Sequence, residues 1–168
     1  ISVGKIKITV LINNRQLLFQ SRKDNFNHLY LLNIDDGALR QLTSGEWEVT
    51  DFIGRKGNEI FFQATLPTPL DRTIYAVRFD DEASPLRPIF TERGITNISL
   101  HPQAEYSIAT HHSLENPGEL LMFKDNETSY EKLWQSENPY NNYNLPKQEV
   151  GSLTIDEEEI FYRITYPD

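Results

Sequence analysis

The sequence predicts an all-β fold: a partial β-propeller of about three four-stranded blades, followed by a C-terminal hairpin. A strand pattern recurs about every 45 residues, and no segment has the sustained 3.6-residue apolar period of a helix. Four short strands in a unit of this length are typical of propeller blades, which cover one another's faces. A two-sheet sandwich is the alternative, because regular short strands also suit that fold.

The first unit is expected at residues 1–45. Alternating apolar residues near its start predict a half-buried strand, and Asn13-Asn14 predicts a tight turn after it. Two strands follow at Gln16–Ser21 and His28–Ile34. A hairpin turn at Asp35-Asp36-Gly37 then leads to a strand at Leu39–Thr43.

The second and third units are expected at residues 46–93 and 94–136. Ile60–Phe62 and Tyr106–Ile108 match the opening strand of the first unit, and Ile74–Ala76 and Leu120–Met122 match the strand after it. Val49–Ile53 and Ile95–Leu100 supply a fourth strand per unit.

The remaining residues read as a connector and one hairpin. Residues 137–146 are polar and aromatic and are interrupted by Pro139 and Pro146. Two strands at Gln148–Ile155 and Glu159–Tyr166, around an acidic turn, then form a hairpin within 147–168.

Composition excludes several classes of protein. The formal net charge is −9, from 25 acidic and 16 basic residues, which disfavours nucleic acid as a partner. The chain has no cysteine, so neither a disulfide framework nor a thiolate zinc site can form. No stretch approaches the roughly 20 apolar residues that span a bilayer, so no membrane span is expected.

The sequence contains no catalytic motif that we can identify. A serine nucleophile on a strand-to-helix elbow needs the pattern G-x-S-x-G, and Gly151-Ser152-Leu153 comes nearest but lacks the second glycine. The carboxylate clusters lie at predicted hairpin tips, where water solvates them: Asp35-Asp36, Asp80-Asp81-Glu82 and Asp156–Glu159. We therefore expect no catalytic residue and no cofactor in this chain.

The histidines and aromatic residues are expected to be structural. His111 and His112 are adjacent in a strand and point to opposite faces, so they cannot chelate one ion together. Metal ligation is the alternative for these two and for His28 and His101, but we expect no metal site. The recurring aromatic residues favour packing between blades over a sugar-binding stripe: Trp47, Phe52, Phe61, Phe62, Phe79 and Phe90.

Four segments resemble the dipeptidyl peptidase IV-like branch of the prolyl oligopeptidase family. Ser21–Tyr30, with its Arg-Lys-Asp-Asn and His-Leu-Tyr runs, resembles a blade segment of that family, although Lys23 is an extra residue. Arg40–Thr50 is similar to the family's blade junction almost residue for residue. Thr68–Tyr75 is similar to its Ser-Pro-x-x-Arg-x-Leu-Tyr segment, and residues from Leu145 onward resemble the crossover into the hydrolase domain.

This resemblance implies a function for a larger parent protein. The family's propeller caps a serine α/β-hydrolase that releases N-terminal dipeptides, so this chain would be the C-terminal part of that propeller and would itself be non-catalytic. Its expected partners are peptide substrates through the parent enzyme, a downstream hydrolase domain in cis, and a second copy in a possible homodimer. The resemblance to bacterial members implies a periplasmic or cell-envelope location. A non-enzymatic propeller that binds proteins or glycans in the bacterial envelope is the alternative.

Overall fold

The computed structural model describes residues 7–12, 15–101, 103–124, 127 and 129–167, with the backbone alone for residues 7–11. The turn expected at Asn13-Asn14 lies outside these residues. The described residues form β-strands and turns and no helix, so the all-β prediction is confirmed. Accordingly, the described part of the chain has no helix that could cross a membrane.

Three four-stranded antiparallel sheets follow one another along the chain, each with its strands in sequence order, as the partial propeller predicted. The first sheet contains β1 (Lys7–Ile12), β2 (Gln16–Ser21), β3 (His28–Asn33) and β4 (Leu39–Gln41). The second contains β5 (Val49–Lys56), β6 (Glu59–Ala64), β7 (Thr73–Arg78) and β8 (Arg87–Phe90). The third contains β9 (Ile95–Ser99), β10 (Tyr106–His112), β11 (Glu119–Lys124) and β12 (Tyr130–Gln135).

Two hydrophobic cores join the three sheets. In β6, Ile60 and Phe62 face the first sheet, whereas Phe61, between them, faces the third. The side-chain period of two in a strand thus lets the second sheet bury both of its faces. The first core unites Leu18, Leu29 and Leu31 with second-sheet residues, and the second core unites Ala109, Leu121 and Phe123 with second-sheet residues.

Backbone hydrogen bonds tie each sheet to the next. The amide of Val49 donates to the carbonyl of Asn27 at 2.7 Å, which anchors β5 beside the start of β3. At the equivalent place in the next pair of sheets, Arg72 donates to Gly94 at 2.8 Å and accepts from Thr96 at 2.9 Å. We call these two places the first junction (first and second sheets) and the second junction (second and third sheets).

Residues 136–168 form a second compact unit, separate from residues 1–135. Its two strands, β13 (Gln148–Ile155) and β14 (Glu158–Thr165), pair antiparallel along their whole length. The turn between them is tight because Asp156 and Glu157 both adopt positive φ, at 51° and 69°. Each strand of this hairpin lies within one residue of its expected bounds.

One strand is longer than the sequence indicated. The sequence predicts a strand at Val49–Ile53, but β5 continues to Lys56. Two register shifts against β6, between Val49 and Asp51 and between Phe52 and Gly54, allow the pairing to continue past residues that break the apolar alternation.

Candidate functional site

The first junction surrounds a fully buried histidine. His28, the first residue of β3, is 0% exposed, and its ring meets Trp47 edge-on with 4.8 Å between centroids. Nε2 lies 3.0 Å from the carbonyl oxygen of Gly45, and Nδ1 lies 3.1 Å from Oγ1 of Thr43. A carbonyl can only accept, so Nε2 carries the proton and the Thr43 hydroxyl donates to Nδ1. Both ring nitrogens are used, so His28 has a structural role.

The second junction brings a histidine and two carboxylates together. One ligand atom from each of Glu92, His111 and Glu119 lies within 4.8 Å of the other two. His111 in β10 and Glu119 in β11 are cross-strand partners and are 3% and 4% exposed. Glu92 is exposed and lies in the connection between β8 and β9. We call these three residues the junction cluster.

Three neighbours hold the junction cluster in place. Oγ1 of the fully buried Thr96 lies 2.9 Å from Nδ1 of His111, which leaves Nε2 as the ring nitrogen available to a ligand. Nζ of Lys132 lies 2.6 Å from Oε2 of Glu119. The hydroxyl of Tyr130 donates to Glu92.

Burial sets the protonation of this site. Burial lowers the pKa of His111 below its usual value, against the opposing influence of Glu119 and Glu92, so the imidazole is neutral at pH 7. The hydrogen bond to Glu92, aided by burial, raises the pKa of Tyr130 to about 12, so its hydroxyl stays protonated and donates. A neutral imidazole beside two carboxylates is a set of groups that can coordinate a divalent cation.

A buried aspartate fixes the backbone beside the junction cluster. Asp71, 3% exposed, accepts hydrogen bonds from Oγ1 of Thr68 at 2.6 Å and from the amide of Gly94 at 2.9 Å. Arg93 pairs with the same carboxylate at 3.3 Å. Asp71 therefore sets the path of the chain from Glu92 toward Thr96.

Sequence reasoning missed Glu92, Glu119 and Asp71. None of the three belongs to a run of acidic residues, whereas the acidic runs considered in the sequence analysis lie at turns. A usable signal existed for Glu119, because it occupies the first position of β11, as His28 does in β3 and Thr73 does in β7. A polar residue that recurs at the position facing a junction indicates a buried polar contact.

The candidate residues considered in the sequence analysis lie in different parts of the structure. Ser152 is an exposed residue within β13, and His112 is exposed on the face of β10 opposite to His111. Asp80, at the second-sheet turn, forms a pair of hydrogen bonds with Arg78 at 2.8 and 3.0 Å, and this pairing lowers its pKa. Ser152 therefore lies within a strand and not on the strand-to-helix turn that a serine nucleophile elbow requires.

The second and third sheets also border a cleft. It has a volume of about 760 Å³ and lies between the turns of the second and third sheets. Its three cations already have partners: Arg78 pairs with Asp80 at 2.8 Å, Lys124 pairs with Glu127 at 3.1 Å, and Nζ of Lys56 donates to the carbonyl of Ala104. Its described lining contains neither histidine nor a hydroxyl or thiol nucleophile.

Comparison with known families matches most of this chain to one family. The family described as the dipeptidyl peptidase IV (DPP IV) N-terminal region matches residues 5–118. A probable dipeptidyl-aminopeptidase B of Coccidioides posadasii (strain C735) is 31% identical over 149 residues, which cover 82% of this chain and 16% of that protein. One of Arthroderma gypseum is 27% identical over 142 residues, which cover 79% of this chain and 16% of that protein. The chain thus spans about a sixth of the length of these curated relatives.

Two solved structures share the fold. The dipeptidyl peptidase 4 of Porphyromonas gingivalis superimposes with a TM-score of 0.77 and 22% identity, over 96% of this chain and 23% of that one. A putative dipeptidyl aminopeptidase IV of Bacteroides ovatus gives a TM-score of 0.81 and 20% identity, over 96% of this chain and 26% of that one. At such low sequence identity, these similarities show the fold alone. The shared fold agrees with the propeller arrangement of the three sheets.

Proposed function

Because the chain belongs to the family of the dipeptidyl peptidase IV N-terminal region, we propose that it forms part of the propeller of a serine-type dipeptidyl peptidase. The family match over residues 5–118 is the observation that carries this proposal. In the proposed parent protein, a Ser-Asp-His triad outside these 168 residues would hydrolyse peptides two residues from a free N-terminus. The chain itself would supply no catalytic group.

The proposed contribution of this chain is steric. The second sheet packs on both of its faces, so the three sheets form one continuous wall rather than independent hairpins. Buried polar residues at both junctions, His28 and Asp71, form hydrogen bonds with the connections that lead from one sheet to the next. A wall of this kind can restrict which peptides reach a catalytic centre, which is the gating role that we assign to it.

An assay with chromogenic dipeptides tests this proposal. The whole gene product should release p-nitroaniline from an Xaa-Pro p-nitroanilide with a free amine and should not act on its N-acetylated form. The 168-residue chain alone should give no turnover above buffer. Turnover by the chain alone, or a whole gene product that is folded and inactive on the free-amine substrate, would contradict the proposal.

We also propose a periplasmic or cell-envelope location and self-association as a homodimer. The location rests on the resemblance to bacterial members of the family, and cell fractionation with immunodetection tests it. Self-association is supported by the exposed face of the third sheet, where Tyr106 and Trp134 are 47% and 58% exposed. The downstream hydrolase domain and the peptide substrate are the other partners that this function requires.

A further inference from the structure

We propose that the junction cluster of Glu92, His111 and Glu119 binds one zinc ion, and that Lys132 occupies the cation position when zinc is absent. The site would join the second and third sheets through a metal. This proposal does not depend on the peptidase function.

The ligand set favours zinc over the alkaline-earth cations. Zinc is commonly held by a mixture of imidazole and carboxylate ligands, whereas calcium takes six to eight oxygen ligands and magnesium keeps an octahedral oxygen shell. The junction cluster offers one imidazole and two carboxylates within 4.8 Å of one another. Three protein ligands would leave one tetrahedral position for water.

Two of the three ligands are held rigidly, and the third can move. His111 and Glu119 are buried cross-strand partners, so the β10–β11 ladder fixes their separation. Glu92 is exposed and lies in a connection. Tetrahedral zinc, with bonds of about 2.1 Å, needs ligand atoms about 3.4 Å apart. Rotation of the Glu92 side chain would bring its carboxylate toward the other two ligands and release Tyr130.

Thr96 orients the imidazole as a metal ligand requires. Histidine ligands to zinc usually donate the N–H of the other ring nitrogen to an oxygen, which fixes the tautomer and the ring orientation. Oγ1 of Thr96 lies 2.9 Å from Nδ1 of His111 and is fully buried. If Nδ1–H donates to Thr96, then Nε2 carries the lone pair that would bind the metal.

The environment of Glu119 also indicates a cation site. Its Oε2 is buried and accepts no hydrogen bond of good geometry, so the Lys132 ammonium at 2.6 Å is what compensates its charge. The Lys132 side chain is 43% exposed, so it can swing into water at little cost. Two carboxylates against one ammonium leave the site net negative, which a divalent ion would correct.

Zinc titration of the full chain by calorimetry near neutral pH tests the proposal. We expect one site per chain in the wild type. Glu92→Gln should weaken binding at least about tenfold, as loss of a ligand does. Because Glu92 is exposed, this variant should fold normally. Lys132→Met should strengthen binding, because it removes the competing cation, and zinc should raise its thermal midpoint more than that of the wild type.

Histidine variants separate this site from adventitious binding. His111→Ala should weaken zinc binding at least about tenfold. His112→Ala, the matched control, changes the adjacent exposed histidine on the opposite face and should leave the affinity unchanged. Thr96→Val should weaken binding by about 10–100-fold while retaining all three ligands. Equal affinity in the wild type, Glu92→Gln and His112→Ala, or no zinc uptake by either the wild type or Lys132→Met, would overturn the proposal.

Discussion

The first residue of the third strand is polar and buried in each of the three sheets: His28, Thr73 and Glu119. Each compensates its burial differently. His28 bonds to Thr43 and Gly45, the Thr73 hydroxyl donates to the carbonyl of Leu66, and Glu119 pairs with Lys132. Burying a polar group costs free energy unless the group forms a hydrogen bond or an ion pair. The residue at this position therefore requires a suitable partner in the adjoining turn or strand.

Replacement of His28 by Ala should destabilise the chain by about 2–4 kcal/mol, because the change removes the hydrogen bonds to Thr43 and Gly45 and opens a cavity beside Trp47. Urea unfolding followed by tryptophan fluorescence measures the effect. His112→Ala is the control and should change the free energy of unfolding by less than about 0.5 kcal/mol, since His112 is exposed. Equal effects of the two substitutions would show that His28 is not the junction anchor described above.

Replacement of Gly45 by Ala should cost about 1–3 kcal/mol of stability. Gly45 has a φ of +129°, and a Cβ there would lie 2.8 Å from Cδ1 of Trp47. Gly118→Ala provides the matched control, because a Cβ at that glycine meets no atom within 4 Å. Thermal melts of both variants should show a clear loss for Gly45→Ala and almost none for Gly118→Ala. A small effect at both positions would contradict the strain and contact argued here.

At the scale of the element, β6 is the strand on which the other sheets depend. Its neighbouring residues Phe61 and Phe62 belong to different cores, one shared with the third sheet and the other with the first. The ring of Phe62 also stacks on Trp47, with 6.1 Å between centroids. Adjacent positions in one strand therefore control the attachment of two different sheets.

Substitution of these two phenylalanines should produce spatially distinct effects. Phe62→Ala and Phe61→Ala should each cost about 3–5 kcal/mol, as truncation of a buried phenylalanine does. In native-state hydrogen exchange, Phe62→Ala should increase exchange mainly in β2 and β3, and Phe61→Ala mainly in β10 and β11. Each variant controls for the other. The same increase in all three sheets for both variants would mean that the sheets unfold as one unit.

Strand positions could be predicted from the sequence because alternation is visible where one face of a strand is exposed. β10 shows this most clearly: Ser107, Ala109 and His111 are buried, and the residues between them are exposed. In β3, by contrast, His28 to Leu31 are all buried, so alternation gives no information about which face they point to. Turn residues and apolar runs locate such a strand, but its neighbours determine its two faces.

The junction cluster could not be predicted in this way. Glu92, His111 and Glu119 come from a connection and two strands, and they meet only because the β10–β11 register places residues 111 and 119 opposite each other. That register depends on the length and conformation of the turn between the strands. The sequence predicts that His111 and His112 point to opposite faces of their strand. It does not indicate which carboxylates lie near His111.

At the scale of the whole molecule, the third sheet has one buried face and one open face. The buried face packs on the second sheet through Leu121 and Phe123. On the open face, Tyr106, Ile108 and Trp134 are 47%, 37% and 58% exposed. Ile108 is paired with Met122, and Leu120 is paired with Trp134, so these apolar side chains lie on the same face of the third sheet. Exposed apolar surfaces of this kind commonly mark sites of association.

The 168-residue chain should therefore self-associate as its concentration rises. Multi-angle light scattering should give a mass above the 19.5 kDa of the monomer, and Trp134→Glu should shift the equilibrium toward monomer by placing a charge in the apolar contact. Leu114→Glu is the matched control, because Leu114 is 60% exposed but lies in the β10–β11 turn rather than on the open face. The Trp134→Glu variant should retain the wild-type circular dichroism spectrum, since the residue is exposed. If the wild type remains monomeric at high concentration, or if both variants dissociate it equally, the open face is not the contact surface.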